Sequence, residues 1–95
     1  MAGEWAVVYR VHAILRMAER GISRGEVEEA IARGETIENY ADDTPYPSRL
    51  VLATVERRPI HVVVARNEDD REWIVITAYQ PDPSEWDSEF KRRTR

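Results

Sequence analysis

Cysteine is absent from the chain, and lysine and phenylalanine occur once each, at Lys91 and Phe90. Without a thiol there is no disulfide, no thiolate nucleophile and no zinc–cysteine site. No run approaches the roughly 18 consecutive apolar residues of a membrane span. The opening Met-Ala-Gly-Glu-Trp has neither the basic start nor the apolar core of a secretory signal. A cytoplasmic protein with no membrane partner is therefore expected. Also missing are a glycine-rich phosphate loop, a Gly-x-Ser-x-Gly elbow, a His-Glu-x-x-His pair and a Walker pattern. Nor does any repeat, low-complexity tract or linker break the chain, so residues 1–95 are read as a single domain.

What is present is a core-forming composition, 42% hydrophobic with 34% charged residues, which excludes a disordered chain. Acidic residues number 18 against 14 basic ones, for a net charge of -4. A broad basic surface, on which generic nucleic-acid binding leans, is thus excluded. A small local site is not. Nearly all the basic residues are arginines, whose planar fork suits carboxylate or phosphate better than the point charge of lysine. The closing Lys91-Arg92-Arg93-Thr94-Arg95 is strongly basic, and residues 90–95 are expected to be a frayed tail.

Residues 5–9, Trp-Ala-Val-Val-Tyr, are aromatic and β-branched and predict an opening strand. From Val11 the period changes. Val11, Ile14, Leu15 and Ala18 form one apolar helical stripe, and Gly21 stops the helix. Ser23-Arg24-Gly25-Glu26 reads as a capping box, with Ile22 and Val27 as its hydrophobic staple. Val27, Ala30 and Ile31 give that second helix a buried face, and Gly34 ends it. Residues 41–48 are loop, and residues 50–55, 60–65 and 73–79 predict three strands joined by short turns, hence an antiparallel meander. Ser84 is expected to cap a brief final helix carrying Trp86 and Phe90. The fold class is α+β: an N-terminal strand and a helical hairpin packed on a small antiparallel sheet, in the order β-α-α-β-β-β with a short C-terminal helix.

Only two histidines occur, His12 and His61. His12 heads the first helix, with Arg16 and Arg20 at i+4 and i+8 along one flank. An acid/base beside cations that hold an anion is what phosphodiester chemistry requires. The same arginines would otherwise pair with Glu19, Glu28 or Glu29 as an ordinary solvated face. His61 lies in the apolar run Pro59-Ile60-His61-Val62-Val63, where it must find a hydrogen-bond partner or suffer desolvation. It is either a site residue or a satisfied core histidine. Pairing positions that sum to about 139 sets His61 opposite residue 78 or 79, within one step of register, and so beside Tyr79 or Gln80. The two histidines lack a short-spaced third ligand, and no metal site or cofactor is expected. Glu35, Glu38 and Tyr40 follow the second helix, in a spacing that an acid-rich chain makes common.

These stretches together resemble a known family. They are His12-Ala13 with Arg16-Met17 and Arg20-Gly21-Ile22-Ser23, then Glu26-Val27, Ala30-Ile31, Gly34-Glu35, Ile37-Glu38 and Tyr40. Arg58-Pro59-Ile60-His61-Val62-Val63 and Ile76-Thr77-Ala78-Tyr79-Gln80-Pro81-Asp82 follow. The chain resembles the DUF4258 family of small bacterial proteins from about Tyr9 to Trp86. It departs from the family pattern at Arg10-Val11, where a small capping residue usually precedes the histidine. The element order is similar to that of the RelE and barnase-like ribonuclease toxins. The resemblance implies a toxin-like, metal-independent endoribonuclease acting on RNA, partnered by an antitoxin-like protein of zinc-ribbon or helix-turn-helix type. The polar positions it carries over are His12, Arg16, Glu35, Tyr40, His61 and Tyr79. On this reading His12 or His61 is general base and acid, Arg16 stabilises the phosphorane, and Tyr79 orients the phosphate. Arg20, Glu35, Tyr40 and Arg58 hold the substrate. The alternative is a non-catalytic interaction module that binds a protein through its sheet edge and C-terminal aromatics. Convergence of both histidines and Arg16 on one cleft separates the two.

Overall fold

A computed structural model describes residues 5–94. Its elements run β1 (Ala6–Tyr9), α1 (Val11–Arg20), α2 (Arg24–Arg33), β2 (Glu35–Tyr40), β3 (Ser48–Val55), β4 (Arg58–Asn67) and β5 (Glu72–Tyr79). The strands form one five-stranded sheet in the order β1-β5-β4-β3-β2. Both helices pack on one face of it, over a core that includes Met17, Ile22, Val27, Val51, Ile60, Val62, Val64 and Val75. The α+β class and the helical hairpin agree with the sequence reading.

Local chemistry explains the hairpin. Gly21 takes the left-handed conformation (φ 65°), and the turn it makes returns the amides of Gly21 and Ile22 to the last carbonyls of α1. Ser23 accepts from the Glu26 amide while the Glu26 carboxylate accepts from the Ser23 amide, so the capping box is complete. At the start of α1, by contrast, Arg10 supplies no side-chain cap. The hairpin between β3 and β4 closes with only Glu56 and Arg57, both at positive φ, which matches the right-handed twist of the strands it joins.

Four details differ from expectation. The sheet is mixed, because β1 lies parallel to β5 instead of extending an antiparallel meander. Residues 35–40 form an additional strand, antiparallel to β3 at the sheet edge. Glu-Thr-Ile-Glu-Asn-Tyr lacks an apolar face, and a solvated edge strand does not need one. The final helix does not form. Residues 83–85 make a turn in which Asp82 accepts from both the Ser84 amide and the Ser84 hydroxyl, and the chain then leaves it at Trp86 to bridge Arg93 instead of continuing as a helix. Finally, α1 buries Ala13 and Met17, and the predicted stripe faces outward: Val11 is 71% exposed, Leu15 54% and Ile14 42%. The small Ala13 permits close approach to the sheet, and so it decides which face turns inward.

Residues 90–94 of the basic tail carry hydrogen bonds back to the segment before them, and Arg95 lies outside the described residues. The Asp87 carboxylate gathers the amides of Glu89, Lys91 and Arg92, while the Asp87 amide donates to the Arg92 carbonyl and the Thr94 amide to the Glu85 carbonyl. Lys91 also pairs with Glu35 at 3.2 Å.

Two substitutions test this frame. Ser23→Ala removes the cap and should lower stability by about 1 kcal/mol. At Gly34 an added Cβ would collide with Val51 and the Ala30 carbonyl and stand 2.9 Å from the Leu52 carbonyl. Backbone must shift to admit it, so Gly34→Ala should cost at least as much, about 1–3 kcal/mol. Thermal or urea melts of both variants check the ranking, and a neutral Gly34→Ala would contradict it.

Candidate functional site

Alternation along β4 sends Ile60, Val62 and Val64 toward the helices and His61 to the opposite face of the sheet. His61 stands directly across from Leu52 on one side and Tyr79 on the other. A bulge between Val63 and Val64 sets that register: pairs on the loop side sum to 139 and those beyond the bulge to 140. The bulge resolves the choice between residues 78 and 79 in favour of Tyr79. Residues 81–94 then fold over this face. The Trp86 ring meets the His61 ring edge-on, with centroids 4.4 Å apart, and is itself only 4% exposed. It is therefore not an exposed aromatic on which a partner could dock.

His61 is fully buried, and both of its ring nitrogens are occupied. Nε2 lies 2.8 Å from the Phe90 carbonyl oxygen and Nδ1 3.2 Å from the Tyr79 hydroxyl. A carbonyl only accepts, so Nε2 carries the proton. Nδ1 of the neutral ring then accepts from the Tyr79 O–H. Burial lowers the His61 pKa, and the nearby Arg93 lowers it further, against the opposing Phe90 hydrogen bond and the Glu38 charge. The imidazole is neutral at pH 7. Phe90 adopts φ 61°, an uncommon conformation for a bulky residue, in the turn that presents its carbonyl to His61.

Tyr79 carries this arrangement to the surface. It lines a cleft of about 660 Å³ together with Arg20, Gln80, Asp82, Glu85, Trp86 and Arg93. Arg20 is anchored by a 2.9 Å hydrogen bond from Nη1 to the Ala78 carbonyl, and the Arg93 guanidinium stacks 4.7 Å above the Trp86 ring. Burial raises the Tyr79 pKa, while Arg93 and Arg20 pull it down. Next to it, the Tyr40 hydroxyl donates to Glu38 at 2.7 Å, and burial followed by that bond pushes its pKa up to about 12. The Glu38 carboxylate acts on Tyr40, His61 and Tyr79 alike.

The nominated residues therefore separate into two groups. Arg20 and Tyr79 line the cleft, His61 backs it, and Tyr40 adjoins it. His12 and Arg16 are exposed on α1 and do not line it. His12 lies about 12 Å along the helix from Arg20, two turns back, and Arg16 is tied to Glu19 at 3.0 Å. Glu35 pairs with Lys91, and Arg58 bridges the Gly21 carbonyl and Glu26 beneath the helical hairpin. The two histidines and Arg16 do not converge, so the reaction shared between His12, His61 and Arg16 is excluded, and by that criterion the geometry favours the interaction module over it. Gln80, the other expected neighbour of His61, lines the cleft as well, whereas Arg93, Asp82 and Glu85 were not nominated from the sequence. The one signal for Arg93 was its guanidinium in a tail rich in them, which was assigned to fraying. Glu38 was noticed but passed over, because only the unforeseen β2 brings it beside Tyr79.

A family model described as "Domain of unknown function (DUF4258)" matches residues 9–80. No curated protein and no solved structure matches the chain, so the likeness to RelE and barnase-like toxins has no structural counterpart behind it.

The depressed His61 pKa has a measurable consequence. Because the unfolded chain takes up a proton near the ordinary value of 6.5 and the folded chain does not, stability is full above that pH and falls as pH drops below it. Melting temperatures between pH 7.5 and 5 should decline in the wild type. The decline should flatten in His61→Gln, and parallel profiles would show that His61 is not buried as a neutral ring.

Proposed function

The chain belongs to the DUF4258 family, and on that premise we propose that it is a toxin-like, metal-independent endoribonuclease whose chemistry centres on Tyr79 instead of His12. The observation that carries the reading is the Tyr79 hydroxyl: it donates to a neutral buried base, His61, at the wall of a cleft bearing two guanidiniums. With its proton directed inward, the phenol oxygen keeps its acceptor capacity for the cleft. An RNA 2′-hydroxyl gives its proton to that oxygen as the phenol proton passes to His61 Nδ1. The 2′-oxygen bonds to phosphorus, the bond from phosphorus to the 5′-oxygen breaks, and the departing oxygen takes a proton from water. His61 later returns its proton through Tyr79 to solvent.

Arg20 and Arg93 are suited to the non-bridging phosphate oxygens, where charge grows in the transition state. Asp82 and Glu85 keep the surrounding field from becoming generally basic, which fits a chain of net charge -4 taking one phosphate locally. Burial keeps His61 in its basic form at neutral pH, so the acceptor is available. His12 and Arg16 have no part in this reaction. An antitoxin-like protein remains the proposed partner.

One observation favours a second reading, a non-catalytic binding module. Val11, Ile14 and Leu15 form an exposed apolar row on α1, better suited to a protein partner than the C-terminal aromatics.

Purified protein incubated with single-stranded RNA in the presence of chelator distinguishes the two. On the enzyme reading Tyr79→Phe, which keeps the ring and removes the relay oxygen, lowers cleavage by about 10²–10⁴-fold. Arg93→Ala weakens it, and His12→Gln and Arg16→Ala leave it unchanged. Intact RNA with the wild type, or undiminished cleavage by Tyr79→Phe, overturns the reading in favour of the module.

A further inference from the structure

A second cluster of arginine and aromatic side chains lies at the far end of the sheet, on the face that carries the helices and so opposite to that of Tyr79, some six residues along β5 from it, or about 20 Å. Trp5 and Trp73 approach with ring centroids 4.9 Å apart. The Arg49 guanidinium sits 4.8 Å over the Trp73 ring, and that of Arg66 lies 5.3 Å from Trp5 and 5.7 Å from Trp73. The register accounts for the grouping. Arg66 pairs with Trp73 across β4 and β5, and Arg49 pairs with Val64, two residues before Arg66 on the same face. Two cations are thereby held side by side, and the cavity they line, about 200 Å³, also contains Asn39 and Ser48.

This cluster is not electrostatically closed. Among the described residues Arg66 has one carboxylate contact, Glu68 at 3.4 Å, with both side chains exposed. Arg49 Nε and Trp73 Nε1 are buried donors with no acceptor among the described residues. Buried donors without a partner are uncommon and call for an acceptor from elsewhere. Burial, and then the like charge of Arg66, lower the Arg49 pKa. Guanidiniums stacked on indoles keep their in-plane N–H groups available, and the combination of cations with aromatic faces is the one that holds single-stranded nucleic acid without reading its sequence.

We propose that Trp5, Arg49, Arg66 and Trp73 form a second RNA-binding site, which grips the backbone phosphate and an unstacked base of a single strand away from the reacting bond. The site rests on the reading that RNA is the substrate, but it does not depend on the Tyr79 relay. It also explains how an acidic protein retains a polyanion, through two local contacts instead of a basic surface.

The test is fluorescence anisotropy of a labelled ten-nucleotide oligouridine with full-length Tyr79→Phe protein, so that binding is measured without cleavage. Arg66 is exposed, and its substitution spares the core. Arg66→Glu should raise Kd at least tenfold, and the slope of log Kd against log salt should fall by about one or more. Trp5→Ala should weaken binding without changing that slope. Free uridine monophosphate should compete only at far higher concentration than the oligonucleotide. Unchanged affinity and slope in Arg66→Glu, absence of any binding, or equal competition by the mononucleotide would each overturn the proposal. Arg66-dependent binding by a wild type that leaves RNA uncut would instead remove only the catalytic reading.

Discussion

A neutral imidazole sealed between a phenol and a backbone carbonyl holds the functional half of this molecule together. His61 donates through Nε2 to Phe90 and accepts through Nδ1 from Tyr79, and its ring supports Trp86 edge-on. One buried side chain thus joins β4, the end of β5 and the segment after β5. Were it charged, Nδ1 would become a second donor facing the phenol, in a site where burial already disfavours the ion. The cleft depends on this bond. Arg93 reaches its wall because residues 81–94 lie across the sheet, and they lie there around His61 and Trp86.

Several basic residues are paired locally: Arg16 meets Glu19, Arg58 meets Glu26 and Arg66 lies 3.4 Å from Glu68, and of these ion pairs Lys91–Glu35 depends on the segment after β5. Exposed pairs such as Arg16–Glu19 contribute little to stability, whereas Arg58–Glu26 is part-buried. Arg20 and Arg93 are placed differently, one on a backbone carbonyl and one on an indole face. Both retain donors that a phosphate oxygen can use. The net charge of -4 thus coexists with two guanidiniums grouped at one cleft.

Much of the fold was legible because local rules and packing agreed. Gly21, the Ser23–Glu26 box and Gly34 bound the helices where the residues said they would, and the alternation around His61 with short turns brought Tyr79 opposite it. The failures share a cause: each depended on a partner distant in sequence. Edge strand β2 has no apolar periodicity of its own and exists because β3 offers it a ladder. The outward stripe of α1 is more hydrophobic than the buried Ala13–Met17 face, so periodicity alone chose the wrong side. Residues 84–90 have helix-compatible spacing, yet the chain leaves the turn at Trp86 to bridge Arg93, and the Asp87 carboxylate gathers the amides of the return. Of the candidate site, His61, Tyr79, Arg20 and Tyr40 were within reach of sequence reasoning. Arg93 was not, since only the return of the tail over His61 turns a terminal basic residue into a wall of the cleft.

The claim at the centre of this account is that His61 is a buried, neutral Nε2–H imidazole accepting from Tyr79. Nitrogen-15 NMR of histidine-labelled protein observes that state directly. The expected result is a protonated Nε2 and an unprotonated, hydrogen-bonded Nδ1 at pH 7, persisting below the ordinary histidine pKa of 6.5. An imidazolium at pH 7, or a ring averaging between tautomers as a solvated histidine does, would contradict it.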